Sequence, residues 1–139
     1  MKMKQHMLEH TIERIKEQGG RVTIQRIAII NVLLRLGHPT AEEIYKFMQK
    51  EFPTLSFTTV YNTLKSLKEL GVVREYPLSE RSRFEIVEKL HPHFHCVRCD
   101  QLLDVEEKYV QIKIDPQCGS KYKPTEVEII LHGVCPNCR

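Results

Sequence analysis

Two pairs of cysteines near the end of the sequence have the spacing of metal ligands. Cys96 and Cys99 form one C-x-x-C pair, and Cys135 and Cys138 form a second pair further along the chain. Each pair can hold one edge of a tetrahedral ion through two thiolates, which predicts a structural zinc ion. Two alternatives remain: four small core cysteines without a metal, and a rubredoxin-like Fe(Cys)4 electron carrier. Zinc is favoured because the sequence offers no second cofactor for electron transfer.

Three histidines alternate with other residues directly before the first of these pairs. His91, His93 and His95 stand in the segment LHPHFHC, and alternate residues of an extended strand share one face. Imidazole combined with carboxylate suits Fe2+, Mn2+ or Zn2+. The pattern therefore predicts a second, non-structural metal site that takes further ligands from elsewhere. The alternative is that each is an ordinary strand or surface histidine.

Composition limits the kind of protein that positions these ligands. The chain has 139 residues, 41% hydrophobic and 28% charged, as expected of one ordinary folded domain or two very small ones. No stretch is apolar enough to span a membrane or to act as a secretory signal, which predicts a cytoplasmic protein. Disulfides are rare in a reducing cytosol, and the fifth cysteine, Cys118, is given no role.

Charge and cysteine content both change near residue 86. Residues 1–86 hold no cysteine and carry 14 Lys and Arg against 10 Asp and Glu, whereas residues 87–139 carry 7 basic and 8 acidic residues with all five cysteines. The resulting net charges of +4 and −1 agree with +3 for the whole chain. We predict two domains, 1–86 and 93–139, joined by a hinge at 87–92.

Apolar residues recur at helical spacing in four segments of the first domain. The last of these helices covers residues 57–70. The residues that cap or stop the four helices are Gly19, Gly20, Thr23, Gly37, Thr40, Glu43, Pro53 and Gly71. Residues 72–78 and 83–87 then have strand-like patterning around a polar SERS turn, which predicts a hairpin. Helices followed by a hairpin are the layout of a winged helix-turn-helix, so the predicted fold class is α+β.

The fourth helix has a polar face that could read DNA. At about 100° per residue, the side opposite its apolar stripe holds Thr58, Asn62, Lys65 and Glu69, with Tyr61 on the flank. Hydroxyl, amide and amine groups pair with base edges and phosphates. Any solvated helix carries such groups too, so the basic residues nearby are a second argument. These are Lys2, Lys4, Arg14, Lys16, Arg21 and Arg26.

Four strings together resemble the ferric uptake regulator (Fur) family over nearly the whole chain. They are HPTAEEIY, TTVYNTLKSLKELGVV, the RFE that ends the hairpin, and H-x-H-x-x-C-x-x-C followed by G-V-C-x-x-C. The resemblance implies a homodimeric, metal-dependent bacterial repressor of double-stranded operator DNA. It implies an N-terminal winged helix and a small α/β dimerisation domain with structural zinc. It implies no enzyme activity, no small organic cofactor and no membrane partner.

The resemblance also implies which residues bind metal. The four paired cysteines match the ligands of one structural Zn2+ per chain. The residues that match a regulatory site for one Fe2+ or Mn2+ per chain are His38, Glu85, His91, His93 and Asp104. His95 lies outside the matched set. The residues that we predict to contact DNA are Lys16, Arg21, Thr58, Thr59, Tyr61, Asn62 and Lys65.

Some positions depart from the family pattern. Ile24 replaces the usual proline of an R-x-T-P-Q-R string, with no functional consequence expected. Leu90 and Pro92 stand where some members have ligands of a third metal site, so we do not predict that site. Pro116 and Gly119 interrupt the segment that usually forms the long helix of the dimer, which predicts a short helix.

Two positions favour one branch of the family. Asn62 and Asp104 resemble the peroxide-responsive branch, whereas Glu85 is usually aspartate there. We expect a metal-loaded repressor that senses peroxide through iron-catalysed oxidation of a histidine, with an iron- or zinc-responsive uptake repressor as the alternative. Two hypotheses from other classes remain. One is a zinc hydrolase with an open metal site beside a general base, and the other is a purely structural zinc-ribbon interaction module.

Overall fold

The computed structural model describes residues 2–78 and 80–139. Met1 and Ser79 lie outside the described residues, so the start of the first predicted domain and the first residue of the predicted SERS turn are not assessed. The chain forms two compact units, the first ending at Val87 and the second spanning Glu88–Arg139. In the described part of the chain, no helix combines the length and the apolar character needed to cross a membrane.

The first unit begins with four helices. Their bounds are Lys2–Glu17 (α1), Ile24–Leu36 (α2), Ala41–Glu51 (α3) and Phe57–Glu69 (α4). The first turn of α1 is mostly polar, and its Met3 side chain is exposed. Gly37 and Gly71 end α2 and α4 with φ angles of 82° and 75°, which a side chain would disfavour.

A capping box fixes the start of α3. The Thr40 side chain accepts a hydrogen bond from the Glu43 backbone N–H, and the Glu43 carboxylate accepts one from the Thr40 N–H. Thr40 is only 1% exposed, and it also forms an isolated antiparallel bridge with Arg83. The predicted capping box is confirmed, and it fixes the backbone two residues after His38.

A β-hairpin follows α4 and completes the winged-helix layout. Its strands are Val73–Pro77 (β1) and Ser82–Ile86 (β2), which pair antiparallel so that Arg74 lies opposite Glu85 and Tyr76 opposite Arg83. The buried core draws on all four helices and the hairpin. It includes Ile15, Ile29, Ile30, Leu33, Ile44, Met48, Val60, Leu64, Leu67, Val73 and Phe84.

The second unit is built on a three-stranded sheet. Its strands are His93–Cys96 (β3), Leu102–Asp104 (β4) and Ile130–Gly133 (β5), in the order β4-β3-β5. Strand β3 pairs antiparallel with β4 and parallel with β5. His91 precedes β3, so the predicted strand holds two of the three alternating histidines rather than all of them.

The segment after β4 contains little regular structure. A 3-10 turn spans Glu107–Tyr109, and a six-residue helix spans Pro116–Lys121 (α5). Pro116 begins this helix rather than interrupting it, because the first turn needs no backbone N–H from proline. The Asp115 carboxylate caps it by accepting from the Gln117 N–H at 2.8 Å. The predicted shortness of this helix is confirmed, while the expected effect of Pro116 is wrong.

Replacing Thr40 with alanine is expected to destabilise the first unit by about 0.5–2 kcal/mol, because a buried N-cap loses its hydroxyl. The free energy of unfolding of Thr40→Ala, measured by urea denaturation, tests this. Thr54→Ala is the matched control, since Thr54 is exposed and caps no helix, and it should change stability by less than about 0.5 kcal/mol. Equal losses in both variants would contradict the role of the capping box.

Candidate metal centres and nucleic-acid interface

The four paired cysteines converge in the second unit. One Sγ atom of each lies within 4.8 Å of the others, and Cys99 Sγ is 3.8 Å from Cys135 Sγ. Zinc–sulfur bonds of about 2.3 Å in a tetrahedron place the sulfurs about 3.8 Å apart. That separation is too long for a disulfide bond. The geometry therefore fits a closed four-thiolate zinc site.

Each cysteine pair lies in a tight turn, here called a knuckle, at residues 96–99 and 135–138. Hydrogen bonds within and between the two knuckles orient the sulfurs. In the first knuckle the Asp100 N–H donates to the Cys96 carbonyl at 2.8 Å, and Asp100 adopts a φ of 62°, so the chain turns back on itself after the second cysteine. The Cys135 N–H donates to Cys96 Sγ at 3.3 Å. The Arg98 guanidinium donates to the Cys138 carbonyl at 2.8 Å. Each knuckle is thus tied to the other before any ion is considered.

The sulfurs influence one another's protonation. Backbone N–H groups of Cys99 and then Cys135 lower the pKa of Cys96 to about 6, which favours its thiolate. Hydrogen bonding to the Cys135 sulfur is the main cause that raises the pKa of Cys138 to about 12. Without a cation, some of the four thiols therefore stay protonated. A divalent ion allows all four to ionise.

A histidine and a carboxylate pair in the first unit. His38 Nε2 lies 2.6 Å from Glu85 Oε2, with both side chains about nine-tenths buried. The other oxygen, Glu85 Oε1, accepts a hydrogen bond of 2.8 Å from the Tyr76 hydroxyl. Burial, reinforced by the Glu85 carboxylate, raises the pKa of Tyr76 far above its ordinary value, so the hydroxyl keeps its proton and donates.

Strand β2 also holds the loop that carries His38. The Arg83 guanidinium donates to the His38 carbonyl at 2.8 Å, and the Phe84 N–H donates to the Pro39 carbonyl at 2.9 Å. Arg83 is buried to 8% exposure and also lies 3.9 Å from a Glu43 carboxylate oxygen. The hairpin therefore positions both members of the His38–Glu85 pair.

A second histidine and carboxylate group lies in the second unit. His91 Nε2 and His93 Nε2 lie 3.0 Å and 3.4 Å from Asp104 Oδ1. His93 and Asp104 are opposite each other in the β3–β4 register, and the His91 and His93 rings are 4.4 Å apart. His91 Nδ1 is 2.8 Å from the Lys89 carbonyl, which can only accept, so Nδ1 is the donor of that contact and Nε2 is the ring nitrogen that faces Asp104.

His95 takes no part in this group. It is 4% exposed, with Nε2 2.8 Å from Asp100 Oδ1 and Nδ1 3.1 Å from His132 Nδ1. This agrees with its prediction as a strand histidine outside the ligand set. It joins the first cysteine knuckle to β5, the strand that leads to the second knuckle, and the sequence pattern gave no signal for that contact.

The predicted DNA-contacting residues all lie exposed in the first unit. Tyr61 is 46% exposed on α4, and its apolar neighbours Val60 and Leu64 are fully buried. The Ser56 hydroxyl caps α4 by accepting from the Thr59 N–H at 3.1 Å. The predicted residues that the structure describes as exposed are Lys16, Arg21, Thr58, Thr59, Tyr61, Asn62 and Lys65.

Arg26 links α4 to the segment before α2, a contact that the sequence analysis did not predict. Its guanidinium donates to the Arg21 carbonyl and to the Ser66 hydroxyl of α4, each at 2.7 Å. The sequence suggested only a cation beside DNA at this position. Tyr76 and Arg83 were missed for a related reason, since their partners depend on the register of a hairpin.

The family model described as the Ferric uptake regulator family matches residues 17–138. The chain belongs to this family. It is 35% identical over 141 residues to the peroxide operon regulator of Bacillus subtilis strain 168, a match covering 98% of this chain and 96% of that protein. The resemblance inferred from the sequence strings is therefore confirmed.

Solved structures of family members have the same fold. The structure of PerR from Streptococcus pyogenes, described as a basis for peroxide sensing and gene regulation, is 31% identical, with 95% of this chain and 92% of that chain covered and a TM-score of 0.53. The ferric uptake regulator of Helicobacter pylori gives a TM-score of 0.70 at 22% identity, covering 97% of this chain and 93% of that chain. The predicted α+β fold class of this Fur-family chain is confirmed.

Removing one thiolate of the Fur-family zinc site should release the ion and unfold the second unit. We expect Cys135→Ser to lose about one zinc per chain and to melt at a lower temperature, because the hydrogen bonds between the two knuckles are few and Leu102 is the one large aliphatic side chain buried among the described residues of this unit. Zinc content by atomic emission and melting by circular dichroism measure both effects.

Cys118→Ser is the matched control for this variant. Cys118 is exposed in α5 and lies outside the sulfur cluster, so this change should leave zinc content and melting temperature as they are. A Cys135→Ser protein that keeps its zinc and its melting temperature would show that the site is not structural.

Proposed function

We propose that this Fur-family chain is a metal-dependent transcriptional repressor that binds operator DNA as a homodimer in the cytoplasm and senses peroxide through oxidation of a histidine. The observation that carries the proposal is a pair of histidine and carboxylate groups on either side of the predicted hinge. His38 and Glu85 form one group, and His91, His93 and Asp104 form the other. A purely structural zinc module does not need His38, Glu85 or Asp104.

A single regulatory ion can take ligands from both groups because the chain between them is short. Glu85 and His91 are six residues apart, and six extended residues span at most ~22 Å. Two or three imidazoles with one or two carboxylates form a donor set that suits Fe2+ or Mn2+. The five proposed ligands therefore fit one ion per chain, in addition to the zinc held by the cysteines.

Sharing an ion between the units links metal binding to DNA binding. The five side chains satisfy the same ion only in one arrangement of the two units. Metal binding then shifts the population toward that arrangement in proportion to its differential affinity. If that arrangement is the one in which both α4 helices of a dimer reach the DNA, the metal-loaded protein represses and the metal-free protein does not.

We propose peroxide as the stimulus on two grounds, namely the names of two relatives and the residues at two positions of this chain. The Bacillus subtilis and Streptococcus pyogenes relatives are both named for peroxide responses. Asn62 and Asp104 resemble that branch, while Glu85 resembles the others. Fe2+ bound at the site would catalyse transfer of one oxygen atom from peroxide to an imidazole, which supplies the two electrons while the other peroxide oxygen leaves as water, whereas Mn2+ would stay unreactive. A ligand histidine that gains an oxygen binds metal more weakly, which frees the two units and releases the DNA.

Iron-loaded protein exposed to mild peroxide should gain one oxygen atom on His38 or His91. The side chains of His38 and His91 are 11% and 19% exposed, whereas that of the third proposed histidine ligand, His93, is 1% exposed, so peroxide reaches the first two more readily. Peptide mass spectrometry locates the added oxygen. The same protein loaded with Mn2+ should remain unmodified, and His10, exposed on α1, is the internal control.

A different result would identify a different regulator. A protein that stays unmodified with iron and leaves the DNA only when iron is removed would be an iron-uptake repressor. A protein that binds DNA equally well without Fe2+, Mn2+ or Zn2+ would exclude a metal-responsive repressor altogether. Turnover of a hydrolysable substrate without metal-dependent DNA binding would indicate the zinc hydrolase.

Base reading and phosphate neutralisation by α4 should separate in binding experiments. We expect Asn62→Ala to lose about 1–3 kcal/mol of discrimination between operator and mutated operator, because an amide can pair with a base edge. We expect Lys65→Ala to weaken binding to all sequences and to lower the slope of log K against log salt by about 1. Fluorescence anisotropy at several salt concentrations measures both.

Lys68→Ala is the matched control on the same helix. The Lys68 ammonium lies 3.1 Å from the Glu75 carboxylate and is already paired within the protein. This variant should leave both the discrimination and the salt slope close to those of the unmodified protein. Equal, sequence-independent losses in all three variants would contradict base reading by α4.

A further inference from the structure

Tyr76 contacts one oxygen of Glu85 while the other oxygen faces His38. The Tyr76 hydroxyl donates to Oε1 at 2.8 Å, and Oε2 lies 2.6 Å from His38 Nε2. We propose that Tyr76 is a positioning residue of the regulatory metal site, which holds Glu85 so that Oε2 alone is presented as a ligand. This inference rests on the proposed function, in which His38 and Glu85 bind the regulatory ion.

The hairpin register explains why Tyr76 reaches Glu85. Tyr76 is opposite Arg83 across the β1–β2 ladder, and Glu85 is two residues further along the same strand. Residues related in this way lie on the same face of a hairpin and are diagonal neighbours, within reach of a long aromatic side chain. The contact is therefore fixed by the backbone of the wing, and a metal is not needed to form it.

Burial makes this hydrogen bond hard to replace. Tyr76 is 1% exposed and Glu85 is 6% exposed, so water has little access to Oε1. Arg74 also hydrogen-bonds the Tyr76 hydroxyl, and because a guanidinium can only donate, the hydroxyl proton is left to point at Glu85. The Tyr76 hydroxyl is therefore oriented as the donor and Glu85 Oε1 as the acceptor, so the carboxylate has one preferred orientation.

A fixed carboxylate orientation matters for a metal ligand in two ways. A carboxylate held by a second hydrogen bond pays less conformational entropy when it binds, and partners of this kind typically change metal affinity 10–100-fold. Such a carboxylate would also favour binding a metal through Oε2, because Oε1 already accepts the Tyr76 hydrogen bond.

Tyr76→Phe tests the proposal because phenylalanine keeps the ring that fills the buried site and removes only the hydroxyl. We expect Mn2+ affinity to fall about 10–100-fold, measured by chelator competition below the melting temperature of the metal-free variant. Tyr45→Phe is the matched control, since it also removes a hydrogen-bonded hydroxyl, 2.6 Å from Gln49, on α3. It should bind Mn2+ as the unmodified protein does.

A double-mutant cycle separates positioning of Glu85 from a general structural effect. If Tyr76 acts through Glu85, Tyr76→Phe should cause no further loss of Mn2+ affinity in a Glu85→Ala background. Equal losses in both backgrounds would overturn the proposal, as would unchanged affinity in Tyr76→Phe.

His38→Ala distinguishes failure of this inference from failure of the proposed function. If His38→Ala binds Mn2+ as tightly as the unmodified protein does, the regulatory site itself is wrong. If His38→Ala loses Mn2+ binding while Tyr76→Phe retains it, the site stands and only the role of Tyr76 is wrong. The metal-free melting temperature of each variant confirms that it is folded at the temperature of the titration.

Discussion

Convergence of four thiolates is the interaction on which the second unit depends. Among its described residues, the buried side chains are chiefly cysteine and histidine, with Leu102 as the one large aliphatic residue below 9% exposure. A unit of this size has too little apolar surface to offset the loss of chain entropy without help. Zinc at Cys96, Cys99, Cys135 and Cys138 joins the two ends of the unit. Strands β3 and β5 lead into the two cysteine pairs, so the ion would also fix the sheet that carries His93 and Asp104.

The hairpin has the corresponding role in the first unit, but by hydrogen bonding. Its strands hold Glu85 through Tyr76, and the His38 loop through Arg83. The apolar face of α4 packs in the same core as Phe84 of β2. The element that holds the His38–Glu85 pair therefore shares a core with the helix that is expected to read DNA.

The parts of this molecule that sequence predicts are those set by local chemistry. Caps such as Thr23 and Thr40, stops such as Gly37, and the two cysteine pairs depend on residues within a few positions, and each appears as expected. Contacts across the hairpin, such as that of Tyr76, depend on register, which a turn of uncertain length does not reveal. Pro116 shows a third case, in which the effect of a residue depends on where its helix begins.

The proposed regulatory ligands could be predicted only in part from local sequence. Histidines placed before a cysteine pair indicate a metal site, but only the family resemblance suggested His38, Glu85 and Asp104 as partners. The structure adds reasons that the pattern lacks. The Lys89 carbonyl engages Nδ1 of His91 and leaves Nε2 facing Asp104, and the β3–β4 register puts His93 opposite Asp104.

Cys118 offers an experimental opportunity because of its isolation. It is exposed on α5, whereas the other four cysteines of the sequence form the sulfur cluster. Coordinated thiolates react slowly with alkylating reagents, so a maleimide dye added to zinc-loaded protein attaches at one place per chain. The natural sequence thus already contains a single labelling position, and fluorescence energy transfer between two such dyes would report subunit exchange in the proposed homodimer without any engineered cysteine.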